Sequence, residues 1–163
     1  MKPPHLTILP LTLDDVDALV ALDNAVFEPE AREDREVYED RLTLYPEGCF
    51  QLLYDKKLIG YIASEIWDAV HDMPLNRKAS VYHNPKGRIV MVSAFGILPV
   101  FQNKGMGTFL FSRFMDIMRA RGFHSVILRP ASKAIPLYTR LGFKKIGQGE
   151  DHIERYDIME AAL

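Results

Sequence analysis

Gln102-Asn103-Lys104-Gly105-Met106-Gly107 joins an apolar run, Ile89 to Ile97, to an amphipathic pattern that begins at about Thr108. That succession reads as a strand, a tight turn and a helix. Two glycines one residue apart open backbone conformations closed to residues with a Cβ and leave the main chain bare to a ligand. The first N–H groups of a helix have no partner within it and sit at the positive end of its dipole, so this turn suits a phosphate or pyrophosphate. Lys104 adds a full positive charge in the same turn. Two other phosphate motifs do not fit. A P-loop carries its lysine after the last glycine, whereas Lys104 precedes both, and a Rossmann fingerprint needs Gly or Ala where Leu110 stands.

A second stretch with chemical potential is Ala134-Ile135-Pro136-Leu137-Tyr138-Thr139-Arg140-Leu141-Gly142-Phe143. By spacing alone, Ile135, Tyr138 and Leu141 share a face and Tyr138 reads as a core residue. Taken together the two stretches resemble the GNAT superfamily of N-acetyltransferases. One of its signatures is Arg/Gln-x-x-Gly-x-Gly/Ala between the fourth strand and the next helix; the other is a short helix that carries a tyrosine and ends in Leu-Gly-Phe. The resemblance implies acetyl-CoA as co-substrate, with its pyrophosphate on Gln102, Asn103, Lys104, Gly105, Met106, Gly107 and Thr108. It implies a pantetheine arm along Phe95, Gly96 and Ile97, where a main-chain amide polarises the thioester carbonyl. Tyr138 becomes the candidate general acid for the departing thiolate.

Phe27-Glu28-Pro29-Glu30, Pro46-Glu47, Ile66-Trp67-Asp68 and Pro136-Leu137-Tyr138 are most similar to the arylalkylamine and polyamine branch of that family. This implies a small primary amine as acceptor, with Phe27, Glu28, Glu65 and Trp67 near it. Members of the branch acting on arylalkylamines carry two histidines on the strand before the glycine turn, and histone-type members carry a glutamate; here Met91 and Ser93 stand there. Deprotonation then falls to a water held by Ser93, or to Glu65, His71 or His83. Glu28, Glu30, Glu33 and Asp34 read as a solvated charged surface, although acids near the acceptor mouth would attract a cation. The alternatives are a protein or peptide N-acetyltransferase and a catalytically weak acyl-CoA-binding module.

The remaining sequence bounds these readings. A chain of 163 residues, 48% hydrophobic and 26% charged, is expected to form one soluble domain spanning 1–163. A formal net charge of -2 argues against nucleic acid as partner. The single cysteine, Cys49, excludes an internal disulfide and a multi-cysteine zinc site, so no metal and a reducing cytoplasm are expected. Met1-Lys2-Pro3-Pro4-His5 holds no signal-peptide core, and no stretch is apolar over a membrane-spanning length. Strand edges permit a homodimer without requiring one.

The elements that must position the candidate residues follow in order. A strand at Leu6–Leu9 precedes a helix capped by Thr12, with Val16, Leu19, Val20, Leu22 and Val26 as its stripe. A charged helix is expected over Arg32–Leu44, with Val37, Tyr38, Leu42 and Leu44 inward, and then a hairpin from Cys49 to Trp67. Asp68 to Gly87 reads as a long polar loop, a lid or a binding segment. After the strand and glycine turn come a helix over Thr108–Arg121 burying Leu110, Phe111, Phe114, Ile117 and Met118, a strand at Ser125–Arg129, the Tyr138 helix and two last strands. The expected fold is α+β: the GNAT fold, a mixed, mostly antiparallel sheet of about six to seven strands flanked by about four helices.

Overall fold

Thr12 starts the first helical segment through a capping box, as the side chain of Thr12 accepts from the backbone and Asp15 accepts from the Thr12 N–H at 2.8 Å. The computed structural model describes residues 5–163, so the reading of Met1–Pro4 lies outside it. The box caps only a 3-10 turn, Leu13–Asp15; the helix proper, α1 (Val16–Val26), begins beyond it and buries Val16, Leu19 and Leu22. It follows the first strand, β1 (Leu6–Pro10). The second helix, α2 (Arg35–Leu44), starts three residues later than the sequence suggests. Pro29 nucleates a separate 3-10 turn and the chain is still extended at Arg32 and Asp34. Leu44 is exposed, and the inward position is taken by Arg41, one turn beyond Val37.

A hairpin follows, β2 (Phe50–Tyr54) and β3 (Lys57–Trp67). Asp55 and Lys56 both take positive φ at its tip, as the twist of a tight hairpin requires. Then come β4 (Ile89–Ile97), α3 (Met106–Ala120), β5 (Ser125–Leu128), α4 (Ile135–Arg140), β6 (Lys144–Glu150) and β7 (Arg155–Ala162). One seven-stranded sheet results, in the order β1-β2-β3-β4-β5-β7-β6. Only β4 and β5 are parallel; the other neighbours are antiparallel. The architecture is the expected α+β fold. Among the described residues no helix is long and apolar enough to cross a membrane.

Helices cover both faces of the sheet. On one, α3 packs Leu110, Phe111, Phe114, Met115 and Met118 against Ile62, Val90, Val92, Val126 and Leu128. Ile117 is only half-buried and Met115 takes the core position instead. On the other face, α1 and α2 cover Tyr61 and Ala63. The segment from Asp68 to Arg88 has a 3-10 turn, Ala79–Val81, and is pinned over β3. Met73 N–H donates to Tyr156 Oη (2.8 Å), Ser80 N–H to Asp40 (2.9 Å) and Asn84 N–H to the Ile66 carbonyl (2.7 Å).

Two irregularities at the centre of the sheet position the site. Ala63 pairs with Ala94 but Ser64 pairs with Val92, so Ser93 is an extra residue, a β-bulge in β4. The β4–β5 pairing ends at Val92 and Leu128, just before Pro130, which lacks an N–H to continue it. Residues 93–97 therefore keep β3 on one edge and have no strand on the other. The bulge lies three residues before Gly96. Gly96 is a glycine because a Cβ there would lie 3.1 Å from Val26 Cγ1 and 3.2 Å from Tyr61 Cε1.

Candidate active site

The split between β4 and β5 opens a cavity of about 910 Å³ that passes from one face of the sheet to the other. Its first half lies on the α3 and α4 side and is lined by Phe95, Ile97, Gln102, Asn103, Gly105, Gly107 and Thr108, with Ala134, Leu137 and Tyr138 opposite. Gly105 is the N-cap residue of α3, with φ +83°, and no side chain caps the helix. Asn103 is also left-handed, at φ +59°. Nothing lies within 4 Å of the position a Gly105 Cβ would take, so the start of α3 faces open space. Gly107 serves a different need: its Cβ would lie 3.3 Å from Phe95 Cζ, so glycine lets α3 approach β4 closely.

Gln102 does not point at the cavity alone. Its Nε2 donates to the Ile97 carbonyl at 2.8 Å, tying the turn to the end of β4. Gln102→Ala is expected to cost about 1 kcal/mol of stability, the net worth of one such bond, read by denaturant melts. Lys104 and Met106 do not line the cavity: Lys104 is exposed and Met106 packs against the core. Lys133 and Arg140, from the segment leading into α4 and from α4 itself, bring positive charge to the same half. They lie inside or beside the stretch containing Tyr138, yet spacing gives no sign of them because α4 and α3 meet only in the fold.

Tyr138 is 6% exposed and lines the cavity. Its ring makes edge contacts with Phe111 and Phe143, at 5.5 and 5.6 Å between centroids, and a tilted one with Phe95 at 6.5 Å. Burial raises its pKa well above that of a free phenol, so it keeps its proton near neutral pH. The residue is packed into the core and also forms part of the cavity wall.

The second half lies on the α1 and α2 side, lined by Val26, Phe27, Ala31, Glu33, Arg41, Met73, Pro74, Leu75, Arg77, Met91, Ala94 and Gly96. Ser93 lies at the crossing, its Oγ donating to the Ala63 carbonyl at 3.3 Å.

A model of the acetyltransferase (GNAT) family matches residues 16–143, which is most of the chain. The chain belongs to the GNAT family. It is therefore an acetyltransferase whose co-substrate is acetyl-CoA. Its fold is similar to that of the loading GNATL domain of CurA from Lyngbya majuscula, at 18% identity and TM-score 0.85, covering 97% of this chain and 98% of that one. It is similar to the GphF GNAT-like decarboxylase in complex with isobutyryl-CoA, at 17% identity and TM-score 0.81, covering 96% and 98%. The ribosomal-protein-S18-alanine N-acetyltransferase from Escherichia coli aligns at 16% identity and TM-score 0.73, covering 97% and 94%. At such identities the likeness is one of fold.

In this acetyltransferase the residues expected near the acceptor part company. Phe27 lines the cavity; Glu28, Glu65 and Trp67 do not. Glu28 precedes the 3-10 turn at Pro29 and is exposed. Glu65 and Trp67 project to the α1 and α2 side of β3 but are fully buried beneath Arg77, which pairs with Glu65 and lies 5.3 Å over the Trp67 ring. His71 stacks on Tyr82 at 4.1 Å, and the His83 ring accepts from the Ile66 N–H at 3.1 Å; neither lines the cavity. Cys49 is buried, which pushes its thiol up to about 11 and leaves it without nucleophilic character near neutral pH.

Proposed function

We propose that this acetyltransferase moves the acetyl group of acetyl-CoA onto the primary amine of a small molecule in the cytoplasm, by direct attack on the thioester. The observation that carries the small-molecule reading is a latch. A peptide acceptor would run in a groove between residues 27–34 and the segment after β3. There the Asp34 N–H donates to Asn76 Oδ1 at 2.7 Å, and Asn76 Nδ2 donates back to Asp34 Oδ2 at 2.9 Å. The pair spans the groove, and beside it this half of the cavity has Phe27, Met73, Leu75 and Met91 as apolar walls and Glu33, Arg41 and Arg77 as charged ones.

The cofactor half fits acetyl-CoA on its own chemistry. An uncapped helix start with a bare glycine accepts a diphosphate, Lys133 and Arg140 add charge for phosphates, and the open edge at 93–97 accepts an extended amide-bearing arm as a strand would. In the reaction the amine nitrogen attacks the thioester carbon, edge amides of β4 stabilise the oxyanion, and Tyr138 gives its proton to the departing sulfur.

Thiol release from acetyl-CoA, followed across a panel of small primary amines and of peptides with free N-termini, tests the proposal. Amine-dependent release is expected with small amines and at most a trace with peptides. Turnover confined to peptides would overturn it, and CoA binding without release across the panel and across pH would favour a binding module. Asn76→Gly keeps the left-handed backbone, φ +60°, but removes both latch bonds. It is expected to raise KM for the small amine by about fivefold, the worth of roughly one net hydrogen bond, and to admit peptides that the wild type excludes.

A further inference from the structure

Two buried ion pairs stand side by side in the acceptor half of the cavity. Arg41 on α2 contacts Glu33, in the connection before α2, and Arg77, in the segment after β3, contacts Glu65 on β3. The pairs are close enough for the charge of Arg77 to act on Glu33 and that of Glu65 to act on Arg41. Arg41 and Arg77 keep only 3% and 8% of their side chains exposed, and both line the cavity. Of their partners Glu33 lines it and Glu65, beneath Arg77, does not. The wall itself therefore presents two guanidiniums against one carboxylate. Asp23 stands outside that wall, bonded to the Tyr38 and Tyr61 hydroxyls and the Glu33 N–H, and burial raises its pKa, which favours its neutral form.

Neither guanidinium is satisfied within the protein. Arg41 meets Glu33 through Nη1, and its Nε makes no hydrogen bond. Arg77 commits its terminal nitrogens to Glu65 and to the Lys78 carbonyl, the latter at 2.8 Å, and its Nε is likewise unpartnered. Buried donors without an acceptor are costly, and an oxygen brought by a ligand removes that cost. The donors are also held in place: Arg41 lies 5.5 Å over the Tyr38 ring, and Arg77 lies 5.3 and 5.2 Å from the Trp67 and Tyr82 rings. Burial works against the charge of Arg41, and contact with Glu33 outweighs it, so Arg41 stays protonated. A fixed, charged, planar fork of N–H donors suits carboxylate oxygens.

We propose that Arg41 and Arg77 seat a carboxylate of the acceptor, and that the acceptor is an amino acid whose apolar side chain packs on Phe27, Met73, Leu75 and Met91. The acyl group of acetyl-CoA brings no carboxylate, so the group that meets the arginines comes with the amine. The attacking amine is neutral, and an amino acid in that form is a monoanion. A wall with two positive charges against one negative receives a monoanion better than a bare alkylamine. This substrate class rests on the amine-acetylating reading above and narrows it; the product is an N-acetyl amino acid. The arginines fix one end of the acceptor and so aim its amine at the β4 edge.

The test measures thiol release from acetyl-CoA by the full chain with L-leucine, L-methionine and L-phenylalanine. Each is set beside the amine left when its carboxylate is removed and beside its amide. The best of the acids is expected to exceed its amine and its amide in kcat/KM by about 30-fold, the worth of one hydrogen bond between charged groups, with most of the difference in KM. Arg41→Lys keeps a positive charge beside Glu33 but not the planar fork, and is expected to cut that advantage to about threefold. Glu65→Met combined with Arg77→Met removes one pair as a unit, so that no buried charge is left alone, and is expected to cut it as far. CoA affinity stays unchanged in both variants, reporting an intact fold. Amines or amides turned over as well as the acids, or an advantage that neither variant reduces, would overturn the proposal and leave amine acetylation standing. Malonyl-CoA is the donor-side control: if its carboxylate, and not the amino acid's, is sensitive to Arg41→Lys, the seat belongs to the acyl group and the proposal falls. Thiol release with none of these probes and none of the wider amine panel would overturn acetylation instead. Calorimetric titration of the CoA-loaded protein with 3-phenylpropionate then decides the seat, upheld by binding that Arg41→Lys weakens and overturned by its absence.

Discussion

Gly105→Asp is expected to weaken acetyl-CoA binding by about 100-fold, which corresponds to roughly 2.7 kcal/mol. Two costs attach to the substitution, and they appear in different measurements. The left-handed backbone at φ +83° strains any residue with a Cβ by about 1–2 kcal/mol, less for Asn and Asp, but that strain is present with or without ligand and so lowers stability rather than affinity. The added carboxylate acts on affinity. It stands at the uncapped start of α3, where it takes the place of the diphosphate at the positive end of the helix and repels what remains. Space does not enter, since nothing of the protein lies within 4 Å of the added Cβ. Gly105→Asn is nearly the same size and equally suited to the left-handed region, so it isolates the charge. Its loss is expected to be only severalfold, and the Asp-to-Asn ratio should shrink as salt is added. Affinity for acetyl-CoA that is unchanged in Gly105→Asp, measured by calorimetry, would remove residues 102–108 from the cofactor site.

The half of the cavity that holds this glycine is the half the sequence makes legible. Gly105, Gly107 and the apolar run before them work through local backbone geometry, and local geometry leaves a mark at fixed spacing. The acceptor half is different. Glu33, Arg41 and Arg77 sit among other charged residues in polar stretches, where charge ordinarily means solvent. They become interior only because α2 and the segment after β3 both fold over the same face of β3, bringing together residues 8 to 44 positions apart in the chain. One signal was available: Arg41 falls one turn after Val37 and three residues after Tyr38, on the face that is otherwise apolar. Glu65 and Trp67 show the converse error. The resemblance puts them near the acceptor, but it says nothing about Arg77, Met73 and Tyr82 being laid on top of them, which keeps both out of the cavity wall. The helix starts fail for a third reason. Thr12 and Asp15 make a real capping box, and the turn that it caps is 3-10 before it is α.

Tyr138→Phe is expected to lower kcat by about 100-fold while leaving the affinity for acetyl-CoA within twofold, the lower end of what a positioned general acid contributes. The separation follows from how the residue is held. Its ring is fixed by Phe111, Phe143 and Phe95, and phenylalanine keeps those contacts, so neither the core nor the cavity wall is disturbed. Only the hydroxyl is lost. Burial holds its proton at all working pH values, so the wild-type profile has no alkaline break from Tyr138 and the variant lowers the whole profile without reshaping it. A thioester whose thiol is more acidic needs less help in leaving, so the variant should be least impaired with an acetylated aryl thiol. A purely structural tyrosine would yield the same small deficit with every donor. Equal kcat for Tyr138→Phe and wild type with acetyl-CoA, in an assay where chemistry limits the rate, would return Tyr138 to the core and assign the proton to another group at the β4–β5 split.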